Sequence, residues 1–86
     1  MKKIMIFYQE RCPFCKRAFT YIEELKKENP EYNKIAIELI EETEQSDFAD
    51  TFDYYYVPTF YINNEKIHEG GIKKEEVKEI LNKALK

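Results

Sequence analysis

The chain has 86 residues, 14 basic and 17 acidic side chains, one His and a formal net charge of -3, with 43% hydrophobic and 15% aromatic residues. That length admits one domain, and that apolar content rules out a disordered chain. The acidic balance, with twelve Lys, two Arg and no compact basic stripe, argues against a nucleic-acid partner, and the longest apolar run, Ile4 to Tyr8, falls far short of the ~20 residues that span a bilayer.

Residues 3–8 are apolar on both faces and predict a central buried strand. A lysine pair precedes this run, which is too short for the apolar region of a signal peptide, so a cytoplasmic location is expected. Pro13 suits the first position of a helix, where its missing N–H leaves nothing unpaired. Cys15, Ala18, Phe19, Ile22 and Leu25 then recur at helical spacing, predicting a helix over 13–28 that stops before Asn29-Pro30. Residues 34–40 read as a second strand. A short helix is expected over 44–53, with Thr43 and Ser46 as cap candidates. Residues 58–63 alternate as a third strand, Asn63-Asn64 signals a tight turn, and 65–69 form a fourth strand. Gly70-Gly71 breaks the chain before a last helix over 73–85, which places Val77, Ile80, Leu81, Ala84 and Leu85 on one face. The order is βαβαββα in a single α/β domain, 1–86: a four-stranded mixed sheet flanked by three helices, its first βαβ unit parallel and right-handed.

The two cysteines stand as Cys12-Pro13-Phe14-Cys15. A pair this close closes almost no loop, and a reducing cytosol keeps it open, so a structural staple ranks below catalysis, redox sensing or metal binding. Cys12 falls at the helix N-cap, where unpaired N–H groups and the positive end of the helix dipole favour thiolate over thiol. Arg11, Lys16 and Arg17 add positive potential, screened where exposed. A thiolate there attacks disulfides, and Cys15, one turn on, is placed to resolve the mixed disulfide. Pro13 and Phe14 stiffen the turn, and an exposed Phe14 is a candidate substrate contact. Zinc is the rival reading, but a closed site takes four ligands and this chain offers two Cys and His68. No metal is assigned.

On Phe7-Tyr8, Cys12-Pro13-Phe14-Cys15-Lys16-Arg17-Ala18, Val57-Pro58-Thr59-Phe60 and Gly70-Gly71, the chain resembles the thioredoxin superfamily, and most closely a small dithiol glutaredoxin, over nearly its whole length. The resemblance implies a thioredoxin-like fold, Cys12 as nucleophile, Cys15 as resolving cysteine, and a cis Val57–Pro58 bond facing them. In the family, the residue before that proline pairs its backbone with the bound peptide or glutathione. The glycine turn, here Gly70-Gly71, approaches the γ-glutamyl end of glutathione there, although Ile72-Lys73-Lys74 replace the usual acidic or hydroxyl cap. A thioredoxin proper is longer, carries a Trp before the first Cys and a Gly-Pro pair between the two, and buries an acid where this chain has Ile6.

The expected function is therefore thiol–disulfide oxidoreduction of protein or glutathione-mixed disulfides, by a monomer. Glutathione is the expected co-substrate, no cofactor is tightly bound, and a reductase is the partner. The alternatives are an iron–sulfur carrier of glutaredoxin type and a thioredoxin-like protein fed by a flavin-dependent reductase. Tyr54-Tyr55-Tyr56 is expected to pack between the second helix and third strand, with at least one ring beside the cysteines. His68 reads as a solvated or packed residue, and the acidic run around Glu38, Glu41, Glu42 and Glu44 as a solvated surface.

Overall fold

Ile4–Tyr8 form the first strand, β1, and alternate between two apolar layers. Ile4 and Ile6 share one face of the sheet with Phe60 and Ile62, while Met5 and Phe7 share the other with Ile40 and Tyr61. The computed structural model describes residues 1–86. The remaining elements are α1 (Pro13–Glu28), β2 (Ile37–Glu41), α2 (Ser46–Ala49), β3 (Thr59–Ile62), β4 (Glu65–Glu69) and α3 (Lys74–Leu85). The sheet runs β2-β1-β3-β4, with β1 parallel to β2 and antiparallel to β3, and β3 antiparallel to β4. The expected order, mixed sheet and three helices are all present.

The helices α1 and α3 cover one face. Ala18, Ile22 and Leu25 from α1 meet Val77, Ile80, Leu81 and Ala84 from α3 over Ile4, Ile6, Phe60 and Ile62. Lys74 at the start of α3 reaches Glu24 and Glu28 of α1, at 3.2 and 2.7 Å, and fastens the two helices at their rims. The other face is aromatic. Phe7, which is fully buried, packs against Phe48, Phe52, Tyr54 and Tyr61 at centroid distances of 6.1, 4.9, 4.9 and 5.6 Å.

Three sequence expectations need correction. The second strand begins at Ile37, not at residue 34, because Pro30–Lys34 form a 3-10 turn. Asn29 ends α1 with its N–H on the Leu25 carbonyl and starts this turn with its side chain accepting from the Glu31 N–H. Asn-Pro is thus a start signal as well as a stop. The turn buries Tyr32, whose hydroxyl donates to Asn82 of α3 at 2.7 Å. The second helix is a single turn, Ser46–Ala49, rather than 44–53. The Thr51 hydroxyl takes the Phe48 carbonyl at 2.7 Å and competes with further helical bonds. Neither Thr43 nor Ser46 caps it. Gln45 holds the cap position without a side-chain bond, and the Glu41 carboxylate collects the N–H groups of Thr43 and Glu44 instead.

Asn63 and Asn64 have φ of 48° and 69°, the left-handed pair that a two-residue hairpin of type I′ requires. Asn64→Val is expected to lower the free energy of unfolding by about 1–2 kcal/mol, the penalty of a left-handed L-residue, whereas Asn64→Gly is tolerated. Urea denaturation of the two variants distinguishes them.

Candidate active site

The chain leaves β1 at Tyr8 and turns over Gln9-Glu10-Arg11. Two bonds fix this turn: the Cys12 N–H donates to the Gln9 carbonyl at 3.1 Å, and the Glu10 N–H donates to the Glu41 carboxylate at 3.1 Å. Cys12 is then delivered to the N-cap of α1 in extended conformation, with Pro13 in the first turn as expected. Its sulfur accepts the Cys15 N–H at 3.4 Å. The geometry expected from the spacing is therefore present: an otherwise unpaired N–H of the first turn points at Cys12 Sγ. Cys12 is half-buried and Cys15 fully buried, and both are free thiols. Burial pushes the Cys15 thiol up to about 12, with the Cys12 sulfur beside it adding to the rise.

Opposite lies the loop before β3. The Val57–Pro58 bond is cis, and the Val57 carbonyl stands 3.9 Å from Cys12 Sγ, at the limit of a weak S–H donation. Pro58 is held by its own carbonyl, which accepts the Gly70 N–H at 2.9 Å. Gly70 has φ of +92°, so the turn that returns this N–H to Pro58 suits glycine. Gly71 lies under the Phe14 ring; a Cβ there would sit 3.4 Å from Phe14 Cδ1. Phe14 itself is half exposed, with the Arg17 guanidinium 5.6 Å from its centroid.

Cys12, Pro13, Phe14, Val57, Pro58, Gly70 and Gly71 thus converge at one end of the sheet. Arg11 is exposed on the approach turn and makes no ion pair. Tyr54 is half-buried, stacked on Phe7, with its hydroxyl donating to Glu42 at 2.6 Å. Burial, then the Glu42 carboxylate, raises its phenol above the ordinary range. Tyr55 and Tyr56 do not pack as expected: they are 85% and 70% exposed, and Tyr56 borders Gly70. His68 is packed, its Nε2–H donating to the Gly71 carbonyl at 2.8 Å and its ring edge-on to Phe60.

Two carboxylates belong to this site that sequence reasoning left in the solvent or passed over. Glu41 is buried and ties the loop before Cys12 to the end of β2. Glu69 accepts from Lys66 Nζ at 2.8 Å and from the N–H groups of Tyr55 and Tyr56, the latter at 2.9 Å. A regular hairpin around Asn63-Asn64 would put His68 opposite Thr59. The register slips between Phe60 and Tyr61, and this bulge sets Glu69 opposite Thr59 instead. No signal in the sequence marks that slip.

These carboxylates make stability depend on acid. Lys66 and the two loop N–H groups hold Glu69 down to about 2, and the Thr43 hydroxyl with the Glu10 N–H lowers Glu41 from the ordinary 4.5. Each binds fewer protons folded than unfolded, so the stabilisation is complete above about 4.5 and is lost as the pH falls toward 2. The urea midpoint is expected to hold from neutral pH to about 5 and to fall below that; in Glu69→Gln the fall is shallower.

A helix-opening dithiol set against a cis-proline, on a mixed sheet with helices on both faces, defines a thioredoxin-like protein. Residues 2–82 match the model of the thioredoxin domain, and the chain belongs to that family. Among solved structures it is similar to a thioredoxin from Plasmodium falciparum, at 25% identity and a TM-score of 0.75 over 95% of this chain and 80% of that one. An uncharacterised thioredoxin-like protein from Clostridium perfringens matches at 26% identity and a TM-score of 0.71, over 98% of this chain and 71% of that one. Thioredoxin O1 of Arabidopsis thaliana, in its oxidised state, shares the fold at 19% identity and a TM-score of 0.75, over 100% of this chain and 79% of that one. No curated protein matches the sequence. These similarities are to thioredoxins, and the narrower resemblance to a dithiol glutaredoxin gains no support from them. No helix is long and apolar enough to cross a membrane.

Proposed function

We propose that the protein is a thiol–disulfide oxidoreductase that reduces protein disulfides. The observation that carries this reading is Cys12 Sγ, accepting the Cys15 N–H and facing the Val57 carbonyl ahead of cis-Pro58. Cys12 as thiolate attacks one sulfur of a bound disulfide; a mixed disulfide forms, and the displaced thiolate leaves and takes a proton from water. Cys15 then attacks Cys12 Sγ. A Cys12–Cys15 disulfide forms, and the proton of Cys15 leaves with the second substrate thiol. Burial keeps Cys15 protonated until this step. Once Cys12 is in a mixed disulfide its sulfur carries no charge, so one cause of the raised Cys15 value is removed at the moment that thiol is needed.

Re-reduction needs a donor of two electrons, and in this reading it is a dithiol reductase of flavin-dependent type. Three of the groups at and after the glycine turn are already engaged, which weighs against glutathione. Lys74 is held by Glu24 and Glu28, the Lys73 N–H by Glu76, and the Gly71 carbonyl by His68. The deciding experiment is insulin reduction by the purified protein, with thioredoxin reductase in one tube and glutathione plus glutathione reductase in the other. Turnover in the first tube is the expected result. Turnover only in the second restores glutathione as co-substrate, and none in either removes the proposed activity.

A further inference from the structure

We propose that Glu69 is a positioning residue for extended disulfide substrates, fixing which main-chain donor of the loop before Pro58 a bound strand can use; this rests on the oxidoreductase reading above. Tyr55 and Tyr56 give their N–H groups to one Glu69 carboxylate oxygen. Pro58 has none to give. Between them the Val57 N–H has no partner in the chain, and the Val57 carbonyl meets only Cys12 Sγ. Val57 is therefore the residue of this loop that combines an open backbone with a place beside the attacking sulfur.

Several groups around it are tied down. The Thr59 hydroxyl donates to the Tyr56 carbonyl, the Gly70 N–H to the Pro58 carbonyl, and the Tyr61 hydroxyl and Lys66 ammonium to the Asp53 carbonyl, at 3.0 and 3.2 Å. Glu69 is itself steadied by Lys66 and is only 20% exposed. Without its carboxylate, three consecutive N–H groups would face solvent, and a strand laid along the loop would have more than one register in which to pair. Only one register brings its disulfide to Cys12. A small disulfide has no main chain to align and is indifferent to the change.

The test compares Glu69→Ala and Glu69→Gln with the unmodified chain, on insulin and on 2-hydroxyethyl disulfide, with Glu65→Ala as a control on the same strand. For Glu69→Ala, KM for insulin is expected to rise about tenfold with kcat little changed, and kinetics on the small disulfide to stay as they were. Glu69→Gln, which keeps one accepting oxygen, falls between. Amide hydrogen exchange at Tyr55 and Tyr56 is expected to accelerate in Glu69→Ala. An unchanged KM for insulin, equal losses on both substrates, or unchanged exchange at those two amides each overturns the proposal. Failure of the underlying reading looks different, because the unmodified chain is then itself inert toward insulin.

Discussion

Cys15→Ser is expected to end turnover while leaving the first attack intact, so that the protein accumulates as a covalent adduct with its substrate. Cys12 is half-buried and heads the helix, whereas Cys15 is enclosed beneath it. With its thiol raised to about 12 by burial, Cys15 stays protonated at neutral pH and does not compete for the incoming disulfide. Removing it removes resolution alone. A band at the summed mass on a non-reducing gel, released by dithiothreitol, checks this. Cys12→Ser is expected to form no adduct and to lose at least about 10^3-fold in kcat/KM. Iodoacetamide at neutral pH should mark Cys12 and spare Cys15 in the native chain. An adduct formed through Cys15 in Cys12→Ser would reverse the assignment.

The second large effect is on stability. Phe7→Ala is expected to destabilise the domain by about 3–5 kcal/mol, as for other buried Phe residues. A domain of this size has only ~0.05–0.15 kcal/mol per residue in hand, about 4–13 kcal/mol in all, so the variant loses a large share of its stability. Phe7 is the hub where Phe48, Phe52, Tyr54 and Tyr61 meet, and α2 is too short to hold its side of the sheet by helical bonds. Phe7→Leu, which keeps most of the volume, should lose far less. Near-ultraviolet circular dichroism and urea unfolding measure both. A loss under about 1 kcal/mol in Phe7→Ala would mean that the aromatic layer closes up around the gap.

Most of the fold was legible because it rests on periodicity. The two-sided apolar run of β1, the α1 and α3 faces and the Asn63-Asn64 turn each have one local solution. The elements that departed are those where a polar side chain decides. Asn29 restarts a helix turn after ending one, and Thr51 halts another. The dithiol was legible because its chemistry lies in adjacent residues, whereas the cis Val57–Pro58 bond was expected only from the family resemblance. Glu41 and Glu69 were not legible, because each acts on backbone far along the chain: Glu41 reaches Glu10, and Glu69 reaches Tyr55 and Tyr56. Exposed tyrosines were read as packed for the same reason. A carboxylate that holds both of their N–H groups fixes that backbone apart from the aromatic layer, and of the three consecutive tyrosines only Tyr54 packs on Phe7.

The slip in β4 has one more effect. A lone outer strand is an invitation to fibril growth, since its free amides template a copy of themselves. Here any newcomer that matches Glu65 and Lys66 falls out of phase by His68 and Glu69, and it must also lie against a fringe of charge. The same irregularity that carries Glu69 to the loop thus keeps this border of the sheet from propagating.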